Sequence, residues 1–292
     1  MMMPNDVEVS VVVAVRNGAS TVGAAVESIL RVRYPPSAME IIVVDNASTD
    51  DTRRVLASMG DRIRVLHESR RGAAAARNRG VREARGRAIA FIDADAVVEP
   101  EWLAAILSPL AEPSVGVVGG KILSTEPCNR IERFGERIHD QKSAIEQATH
   151  PYVLTGNWAS RRAVLLEVGL FDESLLRGQD VDLAWRIRDA GYRFHYEPSA
   201  IVRHRNERTI AGLMHEGFVH GRNNARLLRK RGQPRLSSRV RLMRALRRLV
   251  RHEDPIEGVL WLLFDVGKIA GQVAGLFRAD ELPRVRGNGR AT

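Results

Sequence analysis

Along the first hundred residues, short apolar runs alternate with segments whose apolar positions recur every three to four residues. Val9-Ser10-Val11-Val12-Val13-Ala14-Val15 is a nearly unbroken β-branched run, as expected of a strand covered on both faces. A helix follows to about Arg31, started by Ser20 or Thr21 and burying Val22, Val26, Ile29 and Leu30. Glu40 to Asp45 reads as the second strand, Asp50 or Asp51 to Met59 as a helix, and Ile63 to Leu66 as a short third strand. An Ala-rich helix over roughly Gly72 to Ala84 leads into a fourth strand, Ala88 to Ile92. Strands alternating with short helices imply parallel pairing through right-handed crossovers, so the chain is expected to be α/β with a doubly wound, mostly parallel sheet.

Further on, the pattern predicts a helix near Trp102 to Leu110 and a strand near Val115 to Val118. Weak periodicity from 121 to 155 predicts loops. Arg161 to Val168 and Asp180 to Ala190 read as helices, and 192 to 204 as one or two strands. Beyond Thr209 the chain reads as helical, with breaks at Gly232-Gln233-Pro234 and near Pro255. Two regions are expected: an α/β domain over 1–206 and a basic helical C-terminal region over 207–292.

Hydrophobic residues at 44% and charged residues at 27% exclude wholesale disorder in this 292-residue chain. Cys128 is the only cysteine, which excludes an intrachain disulfide and fits a reducing compartment. No basic stretch followed by an apolar core opens the chain, and the first apolar run is too short to span a bilayer. A cytoplasmic location is expected, with attachment at the inner face of the cell membrane as a further expectation. The net charge of +10 is local: residues 203–254 carry 15 basic against four acidic side chains, while the preceding residues are slightly acidic. A general nucleic-acid reading from the high pI would therefore mislead.

The chemistry collects at predicted strand ends, where ligands of open α/β sheets sit. Arg16-Asn17 follows the first strand, Asp45-Asn46 the second, and Asp93-Ala94-Asp95 the fourth. Two carboxylates two residues apart suit a hard cation, Mg2+ or Mn2+, which keeps positions open for substrate phosphates. The competing reading is a turn cap at Asp95 with a solvated Asp93. Asp45 is expected to meet these carboxylates in one crevice and to accept hydrogen bonds from a base or ribose. For Asn46 and Asp50, Asx-turn bonding is the plainer reading.

These segments resemble family 2 glycosyltransferases of the GT-A fold. The resemblance lies in Ser10 to Asn17, Val43 to Thr52, Gly72 with Ala76-Arg77-Asn78-Arg79-Gly80, and Phe91-Ile92-Asp93-Ala94-Asp95. It continues through Gly156-Asn157, Arg161-Arg162, Gly169 to Asp172, Gly178-Gln179-Asp180-Val181-Asp182-Leu183 and Pro198 to His204, covering roughly 8–206. It implies non-processive, inverting transfer of a sugar from a nucleotide diphosphate to an acceptor hydroxyl, with Mn2+ or Mg2+ as cofactor. Asp45 and the backbone of Ala14, Val15, Arg16 and Asn17 would hold the nucleoside. Arg77 would lie near the base and diphosphate, Ala94 would line the nucleotide-sugar site, Asp93 would touch the ribose or the metal, and Asp95 would lead the metal ligands, joined by Asp93 and His204. Asp180 would be the general base, although the acidic neighbour frequent in the family is Gln179 here; Asp182 is the alternative base, with ordering of the helix N-terminus as its plainer reading. Asn157, Trp158 and Asp182 would line the acceptor. A UDP-sugar stands ahead of a GDP-sugar as donor, and a lipid-linked saccharide is a candidate acceptor. The Gln-x-x-Arg-Trp motif of processive synthases is absent.

Arg239 to Arg251 interleaves arginines with Val240, Leu242, Met243, Leu246, Leu249 and Val250, a basic amphipathic helix suited to an anionic membrane surface. Ile256 to Phe277 is apolar but carries Glu257, Asp265, Lys268 and Gln272, which disfavours a full span. Gly267, Gly271 and Gly275 permit close helix approach, within the chain or in a homodimer. The alternative is a basic nucleic-acid or acidic-surface binder with an inactive GT-A domain, but the segment has few aromatics for base stacking and no recognisable recognition fold. No specific nucleic-acid partner is expected. A dinucleotide-dependent oxidoreductase is disfavoured because no Gly-x-Gly-x-x-Gly follows the first strand.

Overall fold

The computed structural model describes residues 7–175, 177–232 and 237–277. The chain divides into two compact units, Met1–Thr209 and Ile210–Thr292. The first opens with alternating strands and helices: β1 (Val9–Val15), α1 (Val22–Leu30), β2 (Met39–Asp45), α2 (Thr52–Ala57), β3 (Arg64–His67), α3 (Ala73–Glu83) and β4 (Ala88–Asp93). Then come β5 (Ala96–Val98), α4 (Trp102–Leu107), β6 (Val115–Ser124), α5 (Arg130–Ile138), α6 (Gln141–Glu146), β7 (Asn157–Arg161), α7 (Arg162–Glu167), α8 (Gln179–Asp189) and β8 (Arg193–His204). The second unit holds α9 (Ile210–Lys230), α10 (Ser238–Arg251) and α11 (Pro255–Phe277).

One eight-stranded sheet runs β3-β2-β1-β4-β7-β6-β8-β5. The first four strands are parallel, as their helical crossovers require, and β6 and β8 are also parallel. β7 is antiparallel to both neighbours, and β5 is antiparallel to β8. The unbroken apolar runs bury both faces. Val9, Val11, Val13 and Val15 pack with Val26 and Ile29 of α1 and with Trp102 and Ile106 of α4. On the other face Val12 packs with Ala74, Ala76 and Val81 of α3 and with Leu183 and Ile187 of α8.

The alternating segments fold as their pattern predicts, but the region from 121 to 155 does not. The structure forms α5 and α6 there, and β6 extends to Ser124. Asn129 caps α5 by accepting the Glu132 N–H at 2.9 Å, and Asp140 caps α6 by accepting the Ser143 N–H at 3.2 Å. These caps and the buried Phe134, Ala144 and Ile145 stabilise helices too short for clear periodicity. β5 and β7 also escaped the pattern, because three and five residues are too few to show alternation. The segment 192–204 is one strand: a bulge between the Gly120–Glu197 and Lys121–Ile201 pairs accommodates Pro198, which cannot donate to a ladder. Thr21 does take the N-cap position of α1, but no side-chain cap bond forms.

In the second unit, α9 and α11 pack closely through glycines. A Cβ at Gly221 would come within 1.9 Å of the Lys268 carbonyl, and one at Gly271 within 1.9 Å of that of Phe218. The glycine face is thus covered by α9 of the same chain, which removes it as a homodimer contact. No described helix is long and apolar enough to cross a membrane.

Candidate active site

The carboxyl ends of β2, β1 and β4 lie side by side, with Val15 paired to Asp45 and Ala14 to Asp93. Asp45 and Asp93 thus flank the end of β1, two strand spacings apart, or about 10 Å. They lie along one sheet edge, as expected, but only Asp93 and Asp95 join a candidate metal-ligand cluster, and Asp45 stands apart from it. Asp45 is buried, and both of its carboxylate oxygens are engaged. One accepts the Ser48 N–H at 3.0 Å; the other accepts Arg53 Nε at 2.8 Å and lies 3.2 Å from His67 Nδ1. Burial opposes ionisation of Asp45, but these hydrogen bonds hold its pKa below the usual carboxylate value. Arg53 and His67 themselves remain more than half exposed.

The loop after β1 is laced to the loop after β2. Asn17 accepts the Thr49 N–H at 2.8 Å and donates its own N–H to Ser48 Oγ at 3.0 Å. Asp50 accepts the Ala19 and Thr52 N–H groups, the turn bonding anticipated for it. Asn46 instead reaches across to the β3–α3 connection, donating to the Glu68 and Arg70 carbonyls and accepting the Gly72 N–H. Asn17 and Ala47 both adopt φ of 54°. For alanine this left-handed conformation costs roughly 1 kcal/mol, strain of the kind found where a loop is shaped for function. Arg16 and Asn17 are exposed at this edge, Val15 is buried, and Ala14 is half-buried.

Asp93 ends β4, Ala94 and Asp95 form a turn, and β5 begins at Ala96, directly opposite His204 on β8. That pairing brings one oxygen from each of Asp93 and Asp95 and one His204 ring nitrogen within 4.8 Å of one another. Two carboxylates and an imidazole are a donor set for Mn2+ or Mg2+, and Asp93 and Asp95 remain partly open to incoming phosphate oxygens. His204 Nε2 lies 3.3 Å from Asp95 Oδ1. Burial pulls the His204 pKa down, but Asp95 and then Asp93 outweigh it and push it up to about 9. For Asp95, burial is likewise outweighed by His204, and its pKa is lowered.

Arg77, on α3, donates to Asp93 Oδ1 at 2.9 Å. Its other terminal nitrogen, Nη1, is buried without a hydrogen-bond partner, a donor left for an anion. Gly156 stands against Asp93, where a Cβ would come within 3.1 Å of the carboxylate. Asp180 lies in the first turn of α8, behind Gly178 at φ 76°. Burial raises the Asp180 pKa; Arg77 opposes this and Asp93 adds to it, so the three groups share one electrostatic neighbourhood. The Tyr152 pKa is raised too, first by burial and then by Asp180 and Asp140.

Three expected acceptor contacts are not placed for that role. Asn157 is fully buried, with its amide consumed by Trp102 Nε1 and the Lys121 and Ala200 carbonyls. Trp158 is fully buried and packs in the core against Phe91 and Phe171. Asp182 is buried in an ion pair with Arg186 at 2.9 Å. The structure adds Arg53, His67, Tyr152, Asn206 and His139, whose ring centroid lies 5.3 Å from that of His204, to the residues that the sequence motifs mark. Only Asn206 had a local signal, two residues past His204.

A family model described as "Glycosyl transferase family 2" matches residues 10–169. The chain belongs to the family 2 glycosyltransferases. It is 30% identical to the pre-mycofactocin glycosyltransferase of Mycobacterium tuberculosis over 94% of its own length, but spans 56% of that relative. It is 31% identical to the glycosyltransferase AglE of Haloferax volcanii over 67% of its length and 66% of the relative. Among solved structures, the mannosyltransferase PcManGT of Pyrobaculum calidifontis, in complex with GDP-Man and Mn2+, matches with a TM-score of 0.70 at 21% identity, covering 94% of this chain and 88% of the other. TarS 1-349 of S. aureus in complex with UDP-GlcNAc matches with a TM-score of 0.55 at 17% identity, over 87% and 70%. These likenesses establish the GT-A fold of the family 2 domain.

Proposed function

We propose that this glycosyltransferase takes a sugar from a nucleotide diphosphate and transfers it, with inversion and one sugar per encounter, to an acceptor hydroxyl. The observation that carries this reading is the cluster of Asp93, Asp95 and His204 beside Arg77 and Asp180 at the carboxyl edge of β4. Asp45, with the exposed Arg53 and His67 that it holds, together with the loop from Ala14 to Asn17, would receive the nucleoside. The neighbours bound to GDP-Man and UDP-GlcNAc support a nucleotide-sugar donor of either base. The spacing from Asp45 to Asp93 suits a ligand with its base at one and its phosphates at the other.

Asp93, Asp95 and His204 fit a divalent cation, and the Mn2+ in PcManGT supports one. When bound, the cation neutralises charge on the departing diphosphate. Arg77 turns its unpaired donor to the same phosphates. Asp180 takes the acceptor proton as the acceptor oxygen attacks C1 and the C1–phosphate oxygen bond breaks. Its raised pKa makes it a stronger base than a solvated carboxylate. The absent Gln-x-x-Arg-Trp motif favours single transfer. The proposed catalytic domain ends near residue 206.

A screen of nucleotide sugars with Mn2+ should find one whose turnover is lost with chelator. In Asp95→Ala, Mn2+ binding should vanish while the fold persists. An Asp95→Ala enzyme as active as the parent would remove the metal-dependent reading.

A second proposal concerns location. α10 leaves Leu242, Met243, Leu246 and Val250 exposed, the last at 83%. Arg244, Arg247, Arg248 and Arg251 line a cavity along the same helix. Apolar side chains bordered by arginines favour docking on an anionic bilayer surface, where a lipid-linked acceptor would be reached. Vesicles of 30 mol% phosphatidylserine should sediment the protein at low salt and release it as salt rises. Equal binding to neutral vesicles, or none to anionic ones, would end this proposal.

A further inference from the structure

Beside the three side-chain donors of the proposed cation site, one further side chain meets the His204 ring on its far side. Asn206 lies two residues past His204 and is buried. Its amide nitrogen donates to Ser124 Oγ at 2.9 Å and to the Glu132 backbone carbonyl at 3.1 Å. A backbone carbonyl can only accept, so the amide orientation is determined and Oδ1 must be the atom 3.1 Å from His204 Nδ1. Amide oxygens also only accept. Nδ1 therefore donates a proton to Asn206, and Nε2, facing Asp95, is the nitrogen left to exchange its proton for a cation. Space for the amide comes from Gly135 of α5, where a Cβ would stand 2.2 Å from Asn206 Cγ. Ser124 Oγ donates to the same Glu132 carbonyl at 3.0 Å. The Glu132 side chain is tied to the Cys128 N–H at 2.9 Å and to Arg208 Nε at 3.0 Å.

We propose that Asn206 is a positioning residue of the cation site: buttressed by Ser124, Glu132 and Gly135, it fixes the His204 ring so that Nε2 is the nitrogen offered to the metal. The proposal rests on the metal reading above. Partners that hold the far nitrogen of a ligating histidine typically account for 10–100-fold in metal affinity. They do so by removing the alternative tautomer and ring rotation.

The test is Mn2+ affinity of the full chain, read from the electron paramagnetic resonance of free Mn2+ and therefore independent of turnover. Asn206→Leu keeps the volume and removes the acceptor, and it should weaken Mn2+ binding about 10–100-fold. Asn206→Asp keeps an acceptor facing Nδ1 but sets its second oxygen against the Glu132 carbonyl, so it should lose less Mn2+ affinity than Asn206→Leu without matching the parent. Gly135→Ala changes no ligand but forces Asn206 aside, and it should weaken binding in the same direction. Melting curves of the metal-free variants identify any that fail to fold. Parent-like affinity in folded Asn206→Leu, or equal losses in Asn206→Leu and Asn206→Asp, would overturn the positioning role. Failure of the unaltered chain to bind Mn2+ would overturn the metal reading itself and this proposal with it.

Discussion

At the scale of residues, the site separates side chains by burial rather than by charge. Asp93 and Asp95 remain partly open beside His204, whereas Asp45 and Asp182 are carboxylates closed off by partners. Asp180 lies between these extremes. Its pKa is raised by burial, and Arg77 keeps that rise in check. Asp180→Asn should therefore lower kcat about 10²–10⁴-fold, the usual contribution of a general base. Nucleotide and Mn2+ affinities should stay near those of the parent, because Asp180 lies outside the cluster of candidate ligands. Isothermal titration beside steady-state kinetics checks both halves, and an unimpaired kcat would move the base elsewhere. Asp93, Asp95 and His204 could be named as candidate ligands from sequence through the resemblance to family 2, not from the Asp-x-Asp spacing alone. Their partners could not. Nothing around Arg53, His67 or His139 marks it out in one dimension.

At the scale of elements, α5 ties the site to the segment after β8. Glu132, the third residue of α5, is buried and fixes both Cys128 and Arg208. Its pKa is held at about 2, through the Cys128 hydrogen bonds first and Arg208 after them, against an ordinary value of 4.5. The unfolded chain therefore binds this proton at higher pH than the folded one. The corresponding stability is complete above pH 4.5 and is lost as pH falls toward 2. Melting temperature should drop across that window, and Glu132→Gln should flatten this drop while lowering stability at neutral pH. Equal slopes in the two proteins would show that Glu132 gains nothing from its partners. The helix itself was partly legible, since Asn129 and Glu132 have the spacing of a capping pair. Its nine residues include Arg130, Glu132, Arg133, Glu136 and Arg137, and this polarity hid the apolar contact made by Phe134.

At the scale of the whole molecule, the two units call for separate experiments. Residues 1–209 hold the sheet and the candidate site, so a bound nucleotide sugar should stabilise that unit. At one hundred times its Kd, a ligand adds about 2.7 kcal/mol. For a unit of this size that raises the melting temperature by about 5–10 °C. The rise should shrink when EDTA removes the cation, as differential scanning fluorimetry can show. A shift indifferent to EDTA would separate nucleotide binding from the metal. Residues 210–292 should not share in this stabilisation, because every candidate ligand contact lies in the first unit.

The first four strands, their parallel order and the acidic ends of β2 and β4 were determined by sequence alone. A β-branched run buried on both faces has few alternatives, and a helix between two such runs forces them parallel. The partners of the acidic groups were decided in three dimensions. His204 reaches Asp95 only because β8, more than a hundred residues later, pairs with the three-residue β5. Asn157 and Trp158 lie in the core because β7 enters the sheet between β4 and β6. Such neighbours are brought together by ladder register and burial, which depend on the whole folded chain and leave no mark on local sequence.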